Sequence, residues 1–294
     1  GAGDILRDLI ESEFVFTTKL SSIFRQAEES LIIVNAHRIN SGEYPYVNEK
    51  EKDFFFMERT DEQSIVALIS ELATTRLSAY YDGIDPIKDI QVLTPVRKGA
   101  LGTASLNAEL QKMLNPPEAL KTEKKLGDRL FREGDKVMQT RNNYQIGWKK
   151  RRDFSEGQGV FNGDIGYIHS IDNDAGQMTV IFDEDRFVSY EFGQLDEIEL
   201  AYAMTVHKSQ GSEFPIVVMP VSWFPPMLAT RNLLYTAVTR GKKVVILCGM
   251  QRRMEAMVDN NRIKLRFSGL KHRLRALIGR SIIGSNEETL GNEI

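Results

Sequence analysis

The densest polar stretch bounded by apolar runs is Thr205-Val206-His207-Lys208-Ser209-Gln210-Gly211-Ser212-Glu213, directly ahead of Ile216-Val217-Val218-Met219. Its hydroxyl, imidazole, ammonium and amide groups suit phosphate oxygens, and Gly211 permits a turn with close backbone approach. A polar loop that only caps a strand is the plain alternative. A second candidate is Arg231-Asn232-Leu233-Leu234-Tyr235-Thr236-Ala237-Val238-Thr239-Arg240-Gly241, a helix ended by glycine with Arg240 as its last residue. The helix dipole alone favours a cation there, while a fixed guanidinium fork also suits charge building on a transferring phosphoryl group. The third is Ser22-Ile23-Phe24-Arg25-Gln26 at a strand-to-helix junction. There Arg25 either points at a phosphate or pairs with Glu28 or Glu29 on the surface.

Two further regions are basic. Ile146-Gly147-Trp148-Lys149-Lys150-Arg151-Arg152 sets an aromatic beside four consecutive cations on an expected loop. Cations neutralise phosphates and a ring stacks on a base, as single-strand binding requires; a solvated charge run is the alternative. Between Arg252 and Arg280, nine Lys and Arg face only Glu255 and Asp259. Leu265, Phe267, Leu270, Leu274 and Leu277 there predict a closing helix, with much of its charge on a solvated face.

Strands alternating with helices must position these groups. The pattern predicts a strand over Val15 to Leu20, a helix over Phe24 to Asn40 and a strand at Phe54-Phe55-Phe56-Met57. Thr60 and Gln63 have capping-box spacing and open a helix through about Tyr80. A strand follows at Ile90 to Leu93 and a helix at Ala104 to Leu114, ended by Asn115-Pro116-Pro117. Residues 118–130 are polar and Lys-rich, as in a linker. Residues 131–197 are strand and turn, which suggests a small SH3-like β-barrel. From Met204 the first pattern resumes: a helical turn near 204–211, a strand at Ile216 to Met219, a helix at 229–240 and a strand at 244–248. The barrel is therefore expected as an insertion within an α/β domain with a parallel sheet. The boundaries are 1–117 for the first part, 118–130 for the linker, 131–197 for the barrel, and 198–294 for the second part with its C-terminal helix.

Bulk properties narrow the classes. The 294 residues are 41% hydrophobic and 27% charged, which fits a globular chain and not a disordered one. A net charge of −3 gives no global basic field, so a nucleic-acid partner must be met by local patches. The one cysteine, Cys248, excludes an internal disulfide, fits a reducing cytoplasm, and reads as a buried structural thiol. No apolar stretch approaches the ~20 residues of a membrane span. Gly1-Ala2-Gly3-Asp4 has no initiating Met and no signal-peptide pattern, and is read as internal to a longer protein.

In order and spacing, these segments resemble the later motifs of superfamily 1 helicases, specifically the RecD/TraA-like branch. Phe24-Arg25-Gln26 with Ile33-Val34-Asn35-Ala36-His37-Arg38-Ile39-Asn40 is similar to that branch's fourth motif, and Leu93-Thr94-Pro95-Val96-Arg97-Lys98-Gly99 with Leu106-Asn107 to the segment after it. Ala203 to Phe214 resembles motif V and Leu234 to Gly241 motif VI. Gly1 to Ile10 resembles the stretch just after the third motif. The likeness runs from residue 1 to about 278. It implies the second RecA-like motor domain of an ATP-dependent DNA helicase moving 5′ to 3′ on single-stranded DNA. Arg25 and Arg240 would face the γ-phosphate. Gln210, Gly211 and Glu213 would lie near the nucleotide, with Gln26 beside them and Glu213 toward the ribose. Thr94, Arg97, Asn107, Thr205, His207 and Lys208 would lie nearer the DNA backbone, and Lys149, Lys150 and Arg151 would add a DNA contact from the barrel. The implied partners are single-stranded DNA, the protein's N-terminal motor domain and a recombination or repair complex; a membrane is not among them.

A nucleotide motor also needs a phosphate loop, G-x-x-x-x-G-K-[ST], and this sequence has none: Gly241-Lys242 is followed by Lys243. ATP and Mg²⁺ would therefore be held mainly by the N-terminal motor domain, and hydrolysis by this chain alone is expected to be negligible. No metal site is expected here. Val180-Ile181-Phe182-Asp183-Glu184 mimics an apolar strand with a Mg²⁺-binding Asp-Glu pair, but it sits between tight turns and is read as a hairpin. The rival readings are a nucleic-acid-binding module without energy coupling and a peptide-binding interaction domain.

Overall fold

The computed structural model describes residues 5–18, 30–49, 52–262 and 269–277. The chain divides into two compact units, residues 1–25 with 262–294, and residues 26–261. In the smaller unit α1 (Ile5–Ser12) and residues 270–277 are helical. Lys271 Nζ pairs with Glu11 at 2.6 Å, and Arg275 donates to the Glu11 carbonyl at 2.8 Å. Lys271, and then Arg7 one turn away, hold the Glu11 carboxyl down at about 2. Part of the C-terminal basic charge is thus paired with α1. Leu265 and Phe267 lie outside the described residues, and Leu277 is half exposed.

The larger unit begins with α2 (Leu31–Ser41), β1 (Phe54–Glu58) and α3 (Glu62–Glu71). A π-helical stretch (Leu72–Arg76) continues α3 into α4 (Leu77–Tyr80), followed by β2 (Ile90–Thr94) and α5 (Thr103–Leu114). Nine strands come next: β3 (Glu123–Leu126), β4 (Arg129–Arg132), β5 (Lys136–Gln139), β6 (Asn143–Lys150), β7 (Glu156–Val160), β8 (Ile165–Asp172), β9 (Gln177–Phe182), β10 (Arg186–Glu191) and β11 (Ile198–Leu200). The unit closes with β12 (Ala203–Thr205), β13 (Phe214–Val221), α6 (Arg231–Val238), β14 (Gly241–Gly249) and α7 (Gln251–Asp259).

Five strands form an all-parallel sheet in the order β1-β14-β13-β2-β12. Parallel strands covered on both faces need continuous apolar runs, and β13 and β14 supply them. Successive residues then part to opposite faces. Val217, Met219, Val245 and Leu247 pack with Leu31, Ile39, Leu234 and Val258 of α2, α6 and α7. Ile216, Val218, Ile246 and Cys248 pack with Ile65, Leu68, Leu106 and Leu110 of α3 and α5. Burial in that layer pushes the Cys248 thiol up to about 12, so it is an inert core side chain. Where β14 ends, Gly249 has φ +149° and a Cβ there would stand 1.8 Å from the Val221 carbonyl oxygen. Only glycine fits.

β2 and β12 are neighbours in this sheet, yet everything from β3 to β11 lies between them in the chain. The β-rich region is thus an insertion, as expected. Seven of its strands form an antiparallel sheet, order β11-β5-β8-β9-β10-β6-β7, around Phe131, Val137, Val180, Phe182, Val188 and Tyr190.

Several local expectations need correction. Residues 15–18 form no strand, since Phe16 is fully exposed and has no partner strand; Leu20 lies outside the described residues. The described part of the helix expected from Phe24 starts at Leu31, after Ser30, and it ends with Gly42 in the left-handed region. Asp61, not Thr60, caps α3, because its carboxylate accepts from Ser64 N at 2.8 Å. The expected linker at 118–130 contains β3 and part of β4, which pair antiparallel. Their outward positions are Lys and Glu, which removes the apolar signature of strands. Residues 204–211, read as a helical turn, divide into the end of β12 and a run of turns. The cation run at 149–152 begins on β6 and only then enters a turn.

Polar side chains join the two sheets. The Asp135 carboxylate, fully buried, accepts from Arg132 N (2.7 Å), Gln111 Nε2 (2.6 Å), Asn115 Nδ2 (2.7 Å) and the Tyr202 hydroxyl (2.9 Å). Burial pushes its pKa up, and these donors pull it back. Next to it, Lys136 is also buried, with Nζ 3.4 Å from the carbonyls of Lys88 and Ile90. Burial lowers its pKa from 10.5 to about 8, with Asp85 and Asp89 opposing. Between those two values the unfolded chain keeps a proton that the folded chain has lost, so stability rises with pH across that window. Lys136→Met is expected to add about 2–3 kcal/mol near neutral pH and to remove the rise. Urea denaturation of both proteins on either side of the folded pKa checks this; an unchanged pH slope would show that Lys136 does not cause it.

Candidate functional site

The first candidate site lies at the C-terminal edge of the parallel sheet, where the chain leaves β2 at Thr94, β12 at Thr205 and β13 at Val221. The loops there enclose a cleft of about 680 Å³ whose lining includes Pro95, Arg97, Lys98, Thr205, His207, Lys208, Trp223 and Phe224. Arg97, Lys98 and His207 are exposed. Trp223 is 66% exposed, a large apolar ring left in solvent beside three basic side chains. Lys208 is less free: Nζ pairs with Glu199 of β11 at 2.8 Å. A second cavity, about 420 Å³, shares Arg97, Lys98, Thr205 and Lys208 with the first and continues past α5 to Arg129 on β4. The charged surface therefore runs from the sheet edge to the inserted domain.

Two residues expected near the DNA are buried. Thr94 is fully buried, and its hydroxyl donates to the Leu101 carbonyl at 2.7 Å, tying the ends of the 95–101 loop together. Asn107 is buried too. Its amide donates to the carbonyls of Ala203 (2.8 Å) and Leu200 (3.1 Å) and accepts from Ala203 N (2.8 Å). Asn107 nonetheless lines the second cavity, whereas Thr94 lines neither. Thr205 lines the cleft while only 8% exposed. Lys98 and Trp223 were missed; the signal for Trp223 was a tryptophan directly after a buried strand and ahead of Pro225-Pro226.

The second candidate site lies at the opposite edge. Thr205 stands level with Thr94, and Ile216 with Ile90. Phe214 is two residues further back, so the 206–213 segment descends the whole of β2 and about two residues beyond it, roughly 20 Å at ~3.3 Å per residue. Its upper end is anchored by Val206, buried in the core, and by Ser209, whose hydroxyl donates to the Val206 carbonyl at 2.8 Å. Gly211 has φ +90°, a conformation that excludes most other residues. Gln210 and Glu213 are exposed. Lys242 pairs with Glu213 at 3.0 Å and holds its carboxyl below the usual range.

Arg240 sits where α6 turns into β14, and its own carbonyl accepts from Phe214 N at 2.8 Å. Its guanidinium donates to the carbonyls of Thr236 (3.2 Å) and Ser212 (3.0 Å) and to the Thr239 hydroxyl (3.2 Å). All three acceptors are neutral. They orient the fork without cancelling its charge, as an anion-binding arginine requires. Arg25 and Gln26 lie outside the described residues.

Lys149, Lys150 and Arg151 of the inserted domain line neither of these two cavities. Lys149 pairs with Glu156 at 2.6 Å, Lys150 lies 5.8 Å from the Trp148 ring centroid, and Arg151 lies 4.6 Å from that of Phe187. Asp183 and Glu184 occupy the left-handed region in the tight turn from β9 to β10, and Asp183 pairs with Arg186 at 3.0 Å. That run is a hairpin, as expected. Among the described residues no cluster of His, Cys, Asp and Glu could hold a metal ion, and no helix is long and apolar enough to cross a membrane.

Residues 106–182 match the SH3 domain of ATP-dependent RecD-like DNA helicases, and residues 200–248 the UvrD-like helicase C-terminal domain. The chain is 31% identical over 261 residues to the ATP-dependent RecD2 DNA helicase of Deinococcus radiodurans, covering 88% of this chain and 32% of that protein. It is 36% identical over 117 residues to the RecBCD enzyme subunit RecD of Mycobacterium tuberculosis, covering 40% of this chain and 20% of that subunit. A crystal structure of Bacteroides Pif1 bound to single-stranded DNA aligns with a TM-score of 0.45 at 17% identity, over 78% of this chain and 51% of that one. The chain spans a third or less of the curated relatives it matches.

Proposed function

We propose that this chain, which belongs with the RecD-like superfamily 1 helicases, is the second motor domain of an ATP-dependent DNA helicase that moves along single-stranded DNA, 5′ to 3′ as the resemblance implies. The observation that carries this reading is the placement of two chemically distinct sites on opposite edges of one sheet. Arg97 and Lys98, with the His207 imidazole and the Glu199-paired Lys208 beside them, would supply charge and hydrogen-bond donors for a phosphate backbone at one edge. Arg240, with Gln210, Gly211 and Glu213 close by, supplies an oriented guanidinium and an accessible backbone at the other. The 206–213 segment joins the two, so a shift at either end is passed along a short, anchored piece of chain.

These residues fit half of a nucleotide site. ATP bound with Mg²⁺ would supply the phosphoryl group that is transferred to water. Arg240, and Arg25 in the same reading, would meet the γ-phosphate, with Gln26 and Gln210 near it and Glu213 toward the ribose. The phosphate loop and the Mg²⁺ ligands are assigned to an N-terminal motor domain, so this chain by itself is expected to turn over negligible ATP. Lys149, Lys150 and Arg151 would give the strand a separate contact on the inserted domain. Assembly into a recombination or repair complex is compatible with this arrangement.

The DNA half is tested on this chain directly. Phosphate contacts release counterions, so affinity for single strands should fall with salt by a slope of about 0.7 per contact. Replacing both Arg97 and Lys98 with alanine should weaken binding and lower that slope by about 1.4. Fluorescence anisotropy of a labelled oligothymidylate across a salt series measures both. An unchanged slope removes these two cations from the interface. The motor half is tested by joining the N-terminal domain: DNA-stimulated ATP hydrolysis is expected, and its absence would favour a binding module without energy coupling.

A further inference from the structure

Trp223 is large, apolar and 66% exposed, in a cleft whose mixed lining also includes Arg97, Lys98 and Glu62. It is also held. Arg253 of α7 lays its guanidinium carbon 2.9 Å from the centroid of the Trp223 ring. The Arg253 Nε is buried and has no hydrogen-bond partner. A guanidinium that leaves a donor unsatisfied while its carbon sits over a ring is positioned by the ring and the packing around it. One face of the indole is therefore covered, and its exposure belongs to the other face and the edge. Phe224, next in the chain, is 9% exposed and packs with Val218 and Ile246 in the layer on the α3 and α5 side. The neighbour in the core and the arginine behind fix the ring's plane while leaving one face open to the cleft.

We propose that Trp223 is a stacking platform for one nucleobase of the bound single strand, with Arg253 as the positioning residue that backs the ring. This rests on the reading of the cleft as a single-strand site. Arg97, Lys98 and His207 line the same cleft and suit the backbone of a strand whose base lies on the indole. Every base has a π face, so such a platform tolerates any sequence, as movement along DNA requires. Arg253 also withdraws electron density from the ring, which favours stacking by an electron-rich base.

The chain has two tryptophans, so Trp148→Phe leaves Trp223 as the sole indole reporter. Binding of oligothymidylate to that variant, followed independently by anisotropy, should quench its emission in step with occupancy. Trp223→Ala should bind the same oligonucleotide about tenfold more weakly. Trp223→Phe should recover most of the loss, and Arg253→Met should show an intermediate one. An abasic strand of equal length separates stacking from phosphate contact: wild type and all three variants should bind it alike. Unaltered emission at saturation, or an equal loss on abasic and normal strands, overturns the platform while leaving the cleft as a phosphate-binding site. If wild type shows no salt-dependent binding at all, the cleft reading falls and the platform falls with it.

Discussion

On the proposed motor reading, replacing Arg240 with alanine is expected to lower ATP turnover by the chain joined to an N-terminal motor domain about 10³–10⁵-fold, the range found where an arginine finger is removed. Single-strand affinity should stay within a small factor, because the cleft lies roughly 20 Å away along the sheet. The size follows from the environment of the guanidinium. Its three acceptors are two carbonyls and a hydroxyl, so its charge, although felt by the nearby Glu213 carboxylate, is not tied up by a direct bond to an anion and stays available to a phosphoryl group whose own charge rises in the transition state. Those bonds also raise a structural alternative: alanine removes a link from α6 to the Ser212 carbonyl, and a loosened 206–213 segment could itself slow turnover. Arg240→Lys separates the two. Lysine keeps the charge but cannot reproduce the fork, so a finger should still lose most of its rate, with thermal stability unchanged. Near-normal turnover in either variant removes the finger assignment, and with it the strongest residue-level argument for a motor.

Asp135→Leu is expected to cost about 4 kcal/mol or more, the largest stability effect of any single substitution considered. Four donors converge on this buried carboxylate, two from α5 and its C-terminus, one from the Arg132 backbone and one from Tyr202 just before β12. An apolar side chain of similar size leaves all four unsatisfied, at ~1–3 kcal/mol each before relaxation. Asp135→Asn retains part of the network and should cost roughly half as much, since its amide nitrogen faces other donors. Denaturant melts with both variants check the ranking. Because the network ties the insertion to the parallel sheet, Asp135→Leu should also reduce single-strand affinity by disturbing Glu199 and Lys208 on the shared wall of the two cavities. A fully stable Asp135→Leu protein would show that the two sheets are held together by other contacts.

The groups with chemistry were legible in the sequence where their setting is local. Gly211 needs a left-handed backbone for a turn of its own, and Arg240 lies in the turn just past α6, which ends at Val238 and not at Arg240 as expected, so neighbours in the chain nearly suffice to place them. The buried strands β13 and β14 were legible for the same reason, their apolar runs being continuous. Thr94 and Asn107 were not. A hydroxyl or amide near a strand end carries no mark of whether it faces water or a distant carbonyl, and Asn107 bonds to residues more than ninety positions away. The hairpin of β3 and β4 was hidden because its Lys and Glu positions are solvated and show no alternation. Trp223 was passed over because tryptophan beside a buried strand ordinarily joins the core.

Residue types and short spacings alone were enough for most of the alternation of strands and helices and for the β-rich stretch, since each depends on bonds or periodicity within a few residues. Folding in three dimensions decided which of the polar groups lie near one another. Strand register and sheet order put Arg97 and His207 at one edge and Arg240 and Glu213 at the other, and burial withdrew Thr94 and Asn107 from the surface. Those outcomes come from packing between segments remote in the chain, where one side chain's access to solvent is set by atoms that its own neighbourhood does not contain.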